Sequence, residues 1–128
     1  MNRMMMGAAL AMLVGLGMTA DARPLKPDQE AKIKPSGPPV DCVQLRSIRE
    51  TRVRSDQVID FYMNGNKVYR NTLPQSCPSL GFEERFAYAT SLSQLCSVDI
   101  ITVLRSPPMM RGASCGLGKF QPITGAPK

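Results

Sequence analysis

The sequence of 128 residues contains no histidine and no tryptophan, and aromatic residues make up only 5% of it. Without histidine, the chain cannot form a Ser-His-Asp or Cys-His catalytic arrangement from its own residues. It also lacks the side chain that most often binds metals or transfers protons near neutral pH. The formal net charge is +6, but scarce aromatics and the lack of a binding motif argue against nucleic-acid binding. We expect no cofactor, no metal and no nucleic-acid partner.

Only one apolar stretch is long enough to suggest membrane targeting. It covers residues 4–18, follows Arg3, and is followed by Ala20-Asp21-Ala22. This order of basic, apolar and small-residue segments is typical of a cleaved secretory signal, and the stretch is shorter than the roughly 20 residues of a membrane span. We predict a signal peptide over residues 1–22, cleaved near Ala22, and a periplasmic or secreted chain without an integral membrane span.

The remaining chain is predicted to hold one small domain between two unstructured ends. Residues 23–40 contain five prolines, three lysines and few aliphatic side chains. Such a segment buries too little apolar surface to offset the entropy lost on ordering, so we predict a disordered proline-rich spacer. Residues 124–128 are predicted as a flexible tail. The domain then spans residues 41–123, a size at which cross-links contribute much of the stability.

Strand patterns dominate this domain. Residues 57–63 and 67–73 each alternate between two faces, and Asn64-Gly65-Asn66 lies between them. Asn-Gly at this position predicts a β-hairpin with a type I′ turn. A second antiparallel pair is predicted from residues 84–89 and 95–104. The latter is nearly continuous and β-branched, as in a strand that is covered on both faces.

Three further segments complete the predicted fold. Residues 43–54 read as a strand that needs a bulge, residues 105–114 as a surface loop, and residues 115–120 as a short closing strand. The fold class is therefore mostly β: a small antiparallel sheet or compact barrel of five to six short strands, stapled by disulfides. A domain of this size needs its aromatic side chains inside, so several of six are expected in the core: Tyr62, Tyr69, Phe82, Phe86, Tyr88 and Phe120.

Four cysteines, Cys42, Cys77, Cys96 and Cys115, are the strongest chemical signal in the sequence. No two of them are spaced as in a redox pair or a zinc site. In an exported chain they indicate two disulfides, for which three connectivities are possible. We prefer Cys77 with Cys96, across the loop after the hairpin, and Cys42 with Cys115, joining the first strand to the last.

The residues that flank these cysteines resemble those of a known family. The segments that carry the resemblance are Asn71-Thr72-Leu73-Pro74, Ser76-Cys77-Pro78, Leu95-Cys96-Ser97-Val98-Asp99 and Cys115-Gly116-Leu117-Gly118. Their order after Cys42 is similar to that in a family of small exported proteobacterial proteins with only a domain-of-unknown-function label. The resemblance covers residues 41–123. It implies a periplasmic, disulfide-stapled β domain, and it implies no activity or catalytic residue.

Arginines form the clearest charged pattern. Arg46, Arg52 and Arg54 share one strand parity, with Glu50 between them. They are candidate contacts to an anionic partner such as an envelope polymer. The other interpretation is the solvated face of an edge strand, where charged side chains oppose aggregation.

Carboxylates are the remaining candidates for chemistry. Asp99 lies between Val98 and Ile100, and a buried acid there would have a raised pKa suited to a general acid. The other interpretation, which we favour, is a carboxylate that caps a turn, accepts hydrogen bonds from backbone amides or pairs with an arginine. Adjacent Glu83 and Glu84 would point to opposite faces of a strand.

We therefore expect a non-catalytic module that binds an envelope protein or an anionic polymer. The alternative is a small secreted enzyme inhibitor that presents residues 105–114, with Arg105 and Arg111, on a rigid disulfide scaffold. An enzyme that uses carboxylates alone is the least favoured of the three.

Overall fold

The structure, a computed structural model, describes residues 24–90 and 92–128. The predicted signal peptide over residues 1–22 lies outside these ranges. Within them the chain forms ten short strands, two short α-helices and one 3₁₀ turn. The strand pairs are antiparallel, which confirms the mostly β fold class. The strands are more numerous than the five or six predicted, and they form three separate sheets instead of a closed barrel.

Sheet A is the largest, with five strands. In spatial order they are β1 (Lys34–Pro35), β10 (Phe120–Thr124), β5 (Val68–Thr72), β4 (Val58–Met63) and β3 (Ile48–Val53). Successive side chains of a strand point to opposite faces. Ile59 and Phe61 therefore enter the core, whereas Asp60 and Tyr62 lie on what we call the outer face of sheet A.

Sheets B and C are smaller. Sheet B pairs β2 (Cys42–Gln44) with β7 (Gln94–Cys96), and sheet C has the order β6 (Phe86–Tyr88), β8 (Ile100–Arg105) and β9 (Met110–Gly116). The helices are α1 (Pro27–Glu30) and α2 (Leu80–Glu83), and the 3₁₀ turn is Leu45–Ser47. None of the helices in the described ranges is long and apolar enough to cross a membrane.

The three sheets share one apolar core. Its centre is aromatic, because Phe61 packs edge-on against Phe120 with ring centroids 5.3 Å apart and against Phe86 at 6.4 Å. Of the six aromatic residues considered for the core, Phe120 lies in it, and Phe86 and Tyr69 pack against it half-buried. Tyr62 is buried on the outer face of sheet A, while Phe82 and Tyr88 are exposed.

The predicted hairpin is confirmed, with a different turn. β4 and β5 pair so that Asp60 faces Arg70. The Met63 N–H donates to the Lys67 carbonyl at 2.8 Å, which leaves three residues, 64–66, in the loop. Positive φ angles occur at Gly65 (81°) and Asn66 (63°), one residue later than the predicted type I′ turn requires.

The second predicted pair is confirmed in part. β6 pairs with β8, but the predicted strand over residues 95–104 is divided into β7 and β8. A turn separates these two strands. In it the Asp99 carboxylate accepts a hydrogen bond from the Cys96 N–H at 2.7 Å, and the Asp99 N–H donates to the Cys96 carbonyl at 2.9 Å. Aspartate stabilises such turns by bonding nearby backbone, and this one allows β7 to pair with β2 instead of continuing into sheet C.

The preferred disulfide pairing is wrong. The structure joins Cys42 to Cys96 and Cys77 to Cys115. β2 and β7 place Cys42 directly opposite Cys96, with Cα atoms 4.0 Å apart. The prediction treated residues 95–104 as one strand and therefore put Cys96 beside the hairpin. After the turn at Asp99, it is Cys115 on β9 that lies near Cys77.

Three other segments can be compared with the predictions. Residues 43–54 hold β2, the 3₁₀ turn and β3, and a register shift between Ile48 and Glu50 confirms the bulge. Residues 105–114, predicted as a loop, are largely strand, because β9 begins at Met110. The bounds predicted for the closing strand, residues 115–120, are wrong, because β9 continues to Gly116 and the closing strand is β10, which begins at Phe120.

Both predicted unstructured ends contact sheet A. Within residues 24–40, α1 is followed by β1, which pairs with β10 at the edge of the sheet. Proline is compatible with such an edge position because its missing N–H faces away from the ladder. In the predicted tail, the Pro127 carbonyl accepts a hydrogen bond from the Tyr62 hydroxyl at 2.6 Å. The structure differs here from the predicted spacer and tail.

Candidate functional site

The predicted arginine stripe does not form one accessible surface. Arg46 is exposed on the 3₁₀ turn. Arg52 is half-buried on β3, and Arg54, which follows β3, is buried with 6% of its surface exposed. Arg54 is therefore unavailable to an anionic polymer, and Arg52 presents only part of its side chain.

Arg54 instead belongs to a buried ionic cluster around Asp60, which is 0% exposed. The Arg54 Nε donates to Asp60 Oδ2 at 2.9 Å. From the opposite strand, Arg70 donates through Nε to Asp60 Oδ1 at 2.8 Å and through Nη2 to Oδ2 at 3.1 Å. Arg70 Nη1 also donates to Glu30 on α1 at 2.8 Å. We call Asp60, Arg54, Arg70 and Glu30 the Asp60 cluster.

Within the Asp60 cluster, the surrounding carboxylates keep Arg70 charged. Burial lowers the pKa of Arg70, but the hydrogen bonds to Asp60 and Glu30 outweigh it, so the pKa is raised above its ordinary value. The guanidinium therefore stays protonated at any physiological pH. A permanently charged, fully paired group transfers no proton, so Arg70 holds Asp60 and α1 in place.

Tyr62 extends the network to the C-terminal segment. Its hydroxyl accepts from Arg54 Nη2 at 2.9 Å and donates to the Pro127 carbonyl. Arg52 lies over the Tyr62 ring, 4.1 Å from its centroid, in a cation–π contact. Its Nε donates to Glu50 at 2.8 Å, and this hydrogen bond is the main reason that the Arg52 pKa is raised.

The outer face of sheet A is therefore internally neutralised. Three arginines (Arg52, Arg54, Arg70) are paired with three carboxylates (Glu50, Asp60, Glu30). Sequence reasoning recognised the parity of Arg52 and Arg54 but missed Asp60, the acidic partner of Arg54. The sequence contained a signal for this contact. In the register of the three strands, Asp60 lies between Arg52 on one side and Arg70 on the other.

The carboxylate candidates do not form a catalytic pair. Asp99 accepts a hydrogen bond in the turn before β8, as the favoured interpretation predicted. Glu83 ends α2, and Glu84 follows it in a left-handed conformation with φ 56°, so neither lies on a strand. Across the residues that the structure describes, no group of three or more potential ligands is arranged to hold a metal.

A different surface, on sheet C, exposes several apolar side chains. Val98 is 86% exposed, Ile100 57% and Tyr88 40%. These three side chains line a concavity of about 400 Å³ together with Thr102 and Arg111, which we call the sheet C groove. The sequence prediction that the strand containing Ile100 is covered on both faces is wrong, since only alternate residues such as Ile101 are buried.

The wall of this groove holds one cation and one carboxylate, Arg111 and Asp99. Arg85 and Arg105 lie at the opposite end of the sheet, where the Leu104 N–H donates to the Arg85 carbonyl. Asp99 already accepts a hydrogen bond from the Cys96 N–H. Exposed apolar side chains beside Arg111 suit a partner that offers an apolar anchor next to an acidic residue.

Comparisons with known proteins leave this surface without a precedent. A scan against protein-family models, a search of curated proteins and a search of solved structures each found no match to the chain. Its function must be inferred from its own residues.

Proposed function

We propose that the chain is an exported, non-catalytic module that binds a protein of the cell envelope through the sheet C groove. The observation that carries the proposal is the exposure of Val98 and Ile100, at 86% and 57%, around a concave site. Isolated exposed apolar residues are ordinary, but several that share one concavity with polar side chains are typical of an interaction site.

Two features support export. The chain carries two disulfides, which persist in oxidising compartments and are rare in the reducing cytosol. The leader pattern over residues 1–22 and the resemblance to a family of small exported proteins agree with a periplasmic or secreted location. Membership of that family is part of the same proposal.

A protein partner fits the described surfaces better than an anionic polymer. Polymer binding was predicted through Arg46, Arg52 and Arg54, but Arg54 is buried against Asp60 and Arg52 is paired with Glu50. Only Arg46 of the three is freely exposed. The groove offers apolar contact area as well as charge, and apolar anchors provide most of the affinity at protein interfaces.

The test is a capture experiment with oxidised protein purified from the periplasm of an expression host. The bait is incubated with detergent-solubilised envelope at low and high salt, and bound proteins and glycans are identified by mass spectrometry. We expect one protein that stays bound at high salt and is lost with Ile100→Asp but retained with Leu92→Asp, since Leu92 is 64% exposed and lies outside the groove. Release of polymer alone by salt would contradict the proposal.

An inhibitor is the second candidate, supported by the tip of the β8–β9 hairpin. Residues 106–109 join the two strands and are exposed, with Met109 at 62%, and Cys115 ties β9 to Cys77. A protruding, anchored tip is a suitable inhibitory element. In this case the captured protein would be an enzyme, and Met109→Asp would abolish both its inhibition and its capture, whereas Ile100→Asp would not.

A further inference from the structure

The outer edge of β3 is unpaired within the described chain. Strand β3 ends sheet A, and Arg54 N–H donates to the Val58 carbonyl at 2.8 Å. Antiparallel pairs alternate between hydrogen-bonded and non-hydrogen-bonded positions. Counting back from Arg54 along the register with β4, the backbone groups of Thr51 and Val53 face away from β4, towards the open edge.

Among the residues that the structure describes, the edge is accessible as well as unpaired. A groove of about 410 Å³ runs beside it, lined by Ile48, Glu50 and Thr51 of β3 and by Glu84, Arg85 and Phe86 at the start of sheet C. Exposed edges of this kind accept an additional strand through main-chain hydrogen bonds. The side chains of β3 determine which strand fits.

We propose that the strand that fits is β3 of a second copy of this chain, paired antiparallel about a two-fold axis at Thr51. In this register Thr51 faces Thr51 of the second copy, and Glu50 faces the second copy's Arg52. The two-fold axis generates the same contact twice. Both Glu50–Arg52 pairs lie at non-hydrogen-bonded positions of the strand pair, where opposed side chains are closest.

The charges of β3 favour this register over its neighbours. A shift that centres the axis on Glu50 opposes two glutamates, and one that centres it on Arg52 opposes two arginines. Like charges directly opposite each other destabilise a strand pair, and unlike charges stabilise it. A second copy is therefore the occupant for which β3 is complementary in charge.

Glu50 and Arg52 are also already positioned for the contact. They lie on the same face of β3, joined by a 2.8 Å hydrogen bond, with side chains 44% and 19% exposed. In the dimer the two pairs would form a two-by-two array of alternating charges on the outer face of the continuous sheet. This interface is separate from the role proposed for Val98 and Ile100, and either can fail without the other.

The experiment is a charge-swap mixing test by sedimentation velocity on oxidised protein. A chain with Glu50→Arg carries two cations at these positions, and a chain with Arg52→Glu carries two anions. We expect the unaltered protein to dimerise and each variant alone to self-associate at least about tenfold more weakly. An equimolar mixture should form a heterodimer, because each cation then faces a carboxylate.

Matched controls separate this effect from net charge and from folding. Asp28→Arg and Arg46→Glu make the same charge changes at exposed positions outside β3, and they should leave the dimer unchanged. A folding defect in a variant would not be repaired by mixing. Three results would each overturn the proposal. The unaltered protein could be monomeric at all concentrations, neither variant could weaken the dimer, or the two variants could fail to associate with each other.

Discussion

The outer faces of sheets A and C differ in the side chains that they hold and in what covers them. On sheet A the outer face holds Arg54, Asp60 and Arg70, and segments from both ends of the described chain cover it through Glu30 and Pro127. On sheet C the outer face holds Ile100 beside Thr102 and Ser114, Val98 lies in the turn before β8, and the described chain leaves Ile100 and Val98 exposed. Polar residues are thus buried on one sheet and apolar residues exposed on the other.

The difference follows from what each kind of side chain requires. A buried carboxylate needs its full set of charged partners, since loss of one leaves an uncompensated charge away from water. The Asp60 cluster therefore requires ordered neighbours, and the N- and C-terminal segments supply them. An exposed apolar side chain has no such requirement, and its contact area stays available to another molecule. We infer that sheet A provides stability and sheet C provides recognition.

Asp60→Ala should give the largest effect, because it removes the shared acceptor of two arginines. Arg54 and Arg70 would then face each other without the carboxylate that lies between them. We expect a loss of about 3 to 5 kcal/mol in the free energy of unfolding, as for other broken buried ion pairs, measured by urea denaturation of the oxidised protein. Asp28→Ala, at an exposed position, should change stability little; equal effects of the two would contradict the difference between the faces.

Breaking the link between the two sheets should have the next largest effect. Cys77 follows β5 of sheet A, and Cys115 lies on β9 of sheet C, at a sequence separation of 38. Replacing both with alanine should lower the free energy of unfolding by about 2 to 4 kcal/mol, measured by the same denaturation. The matching Cys42→Ala, Cys96→Ala pair removes a bridge within sheet B, where strand pairing already holds the two positions together.

Hydrogen–deuterium exchange would show whether the two disulfides act on different regions. Loss of the Cys77–Cys115 bridge should speed exchange in β9 and around the sheet C groove more than in β4. Uniformly faster exchange in both regions would mean that the bridge stabilises the fold as a whole and does not specifically hold sheet C.

The fold was most predictable where local chemistry decides it. Alternation and Asn64-Gly65 were sufficient for the hairpin, and the uneven parity of β3 was sufficient for its bulge. The disulfide pairing failed because it depended on one turn at Asp99, a single side-chain hydrogen bond within an otherwise strand-like run. Because of that turn, Cys96 lies in sheet B and not in sheet C with β8. The β-propensity of the residues does not predict such a turn.

The candidate sites were less predictable because they depend on pairing between strands. The parity of Arg52 and Arg54 was correct, yet whether they face solvent depends on Asp60 in the neighbouring strand and on the chain ends. The exposure of Ile100 depends on which face of β8 the core occupies, and a continuous β-branched run does not indicate that face.

Tyr62→Phe tests the connection between sheet A and the C-terminal segment with a smaller expected effect. The change keeps the ring under Arg52 and removes the hydroxyl that joins Arg54 to the Pro127 carbonyl. We expect a loss of about 1 to 2 kcal/mol and faster digestion of the last residues by a carboxypeptidase. Tyr69→Phe, on the core face of the next strand, is the matched control and should leave the digestion rate unchanged.

Ile100→Asp should have the smallest effect on stability and the largest on binding. Its side chain is 57% exposed, so the free energy of unfolding should change by no more than about 0.5 kcal/mol. A residue that anchors a partner typically costs tenfold or more in affinity when it is lost, and we expect about that loss for the captured protein in a calorimetric titration. Arg111→Ala should weaken the same complex mainly at low salt, because its contribution is a screened charge. If Ile100→Asp lowers the free energy of unfolding as much as Asp60→Ala does, then Ile100 is a structural residue, and the exposed apolar residues of sheet C do not provide recognition.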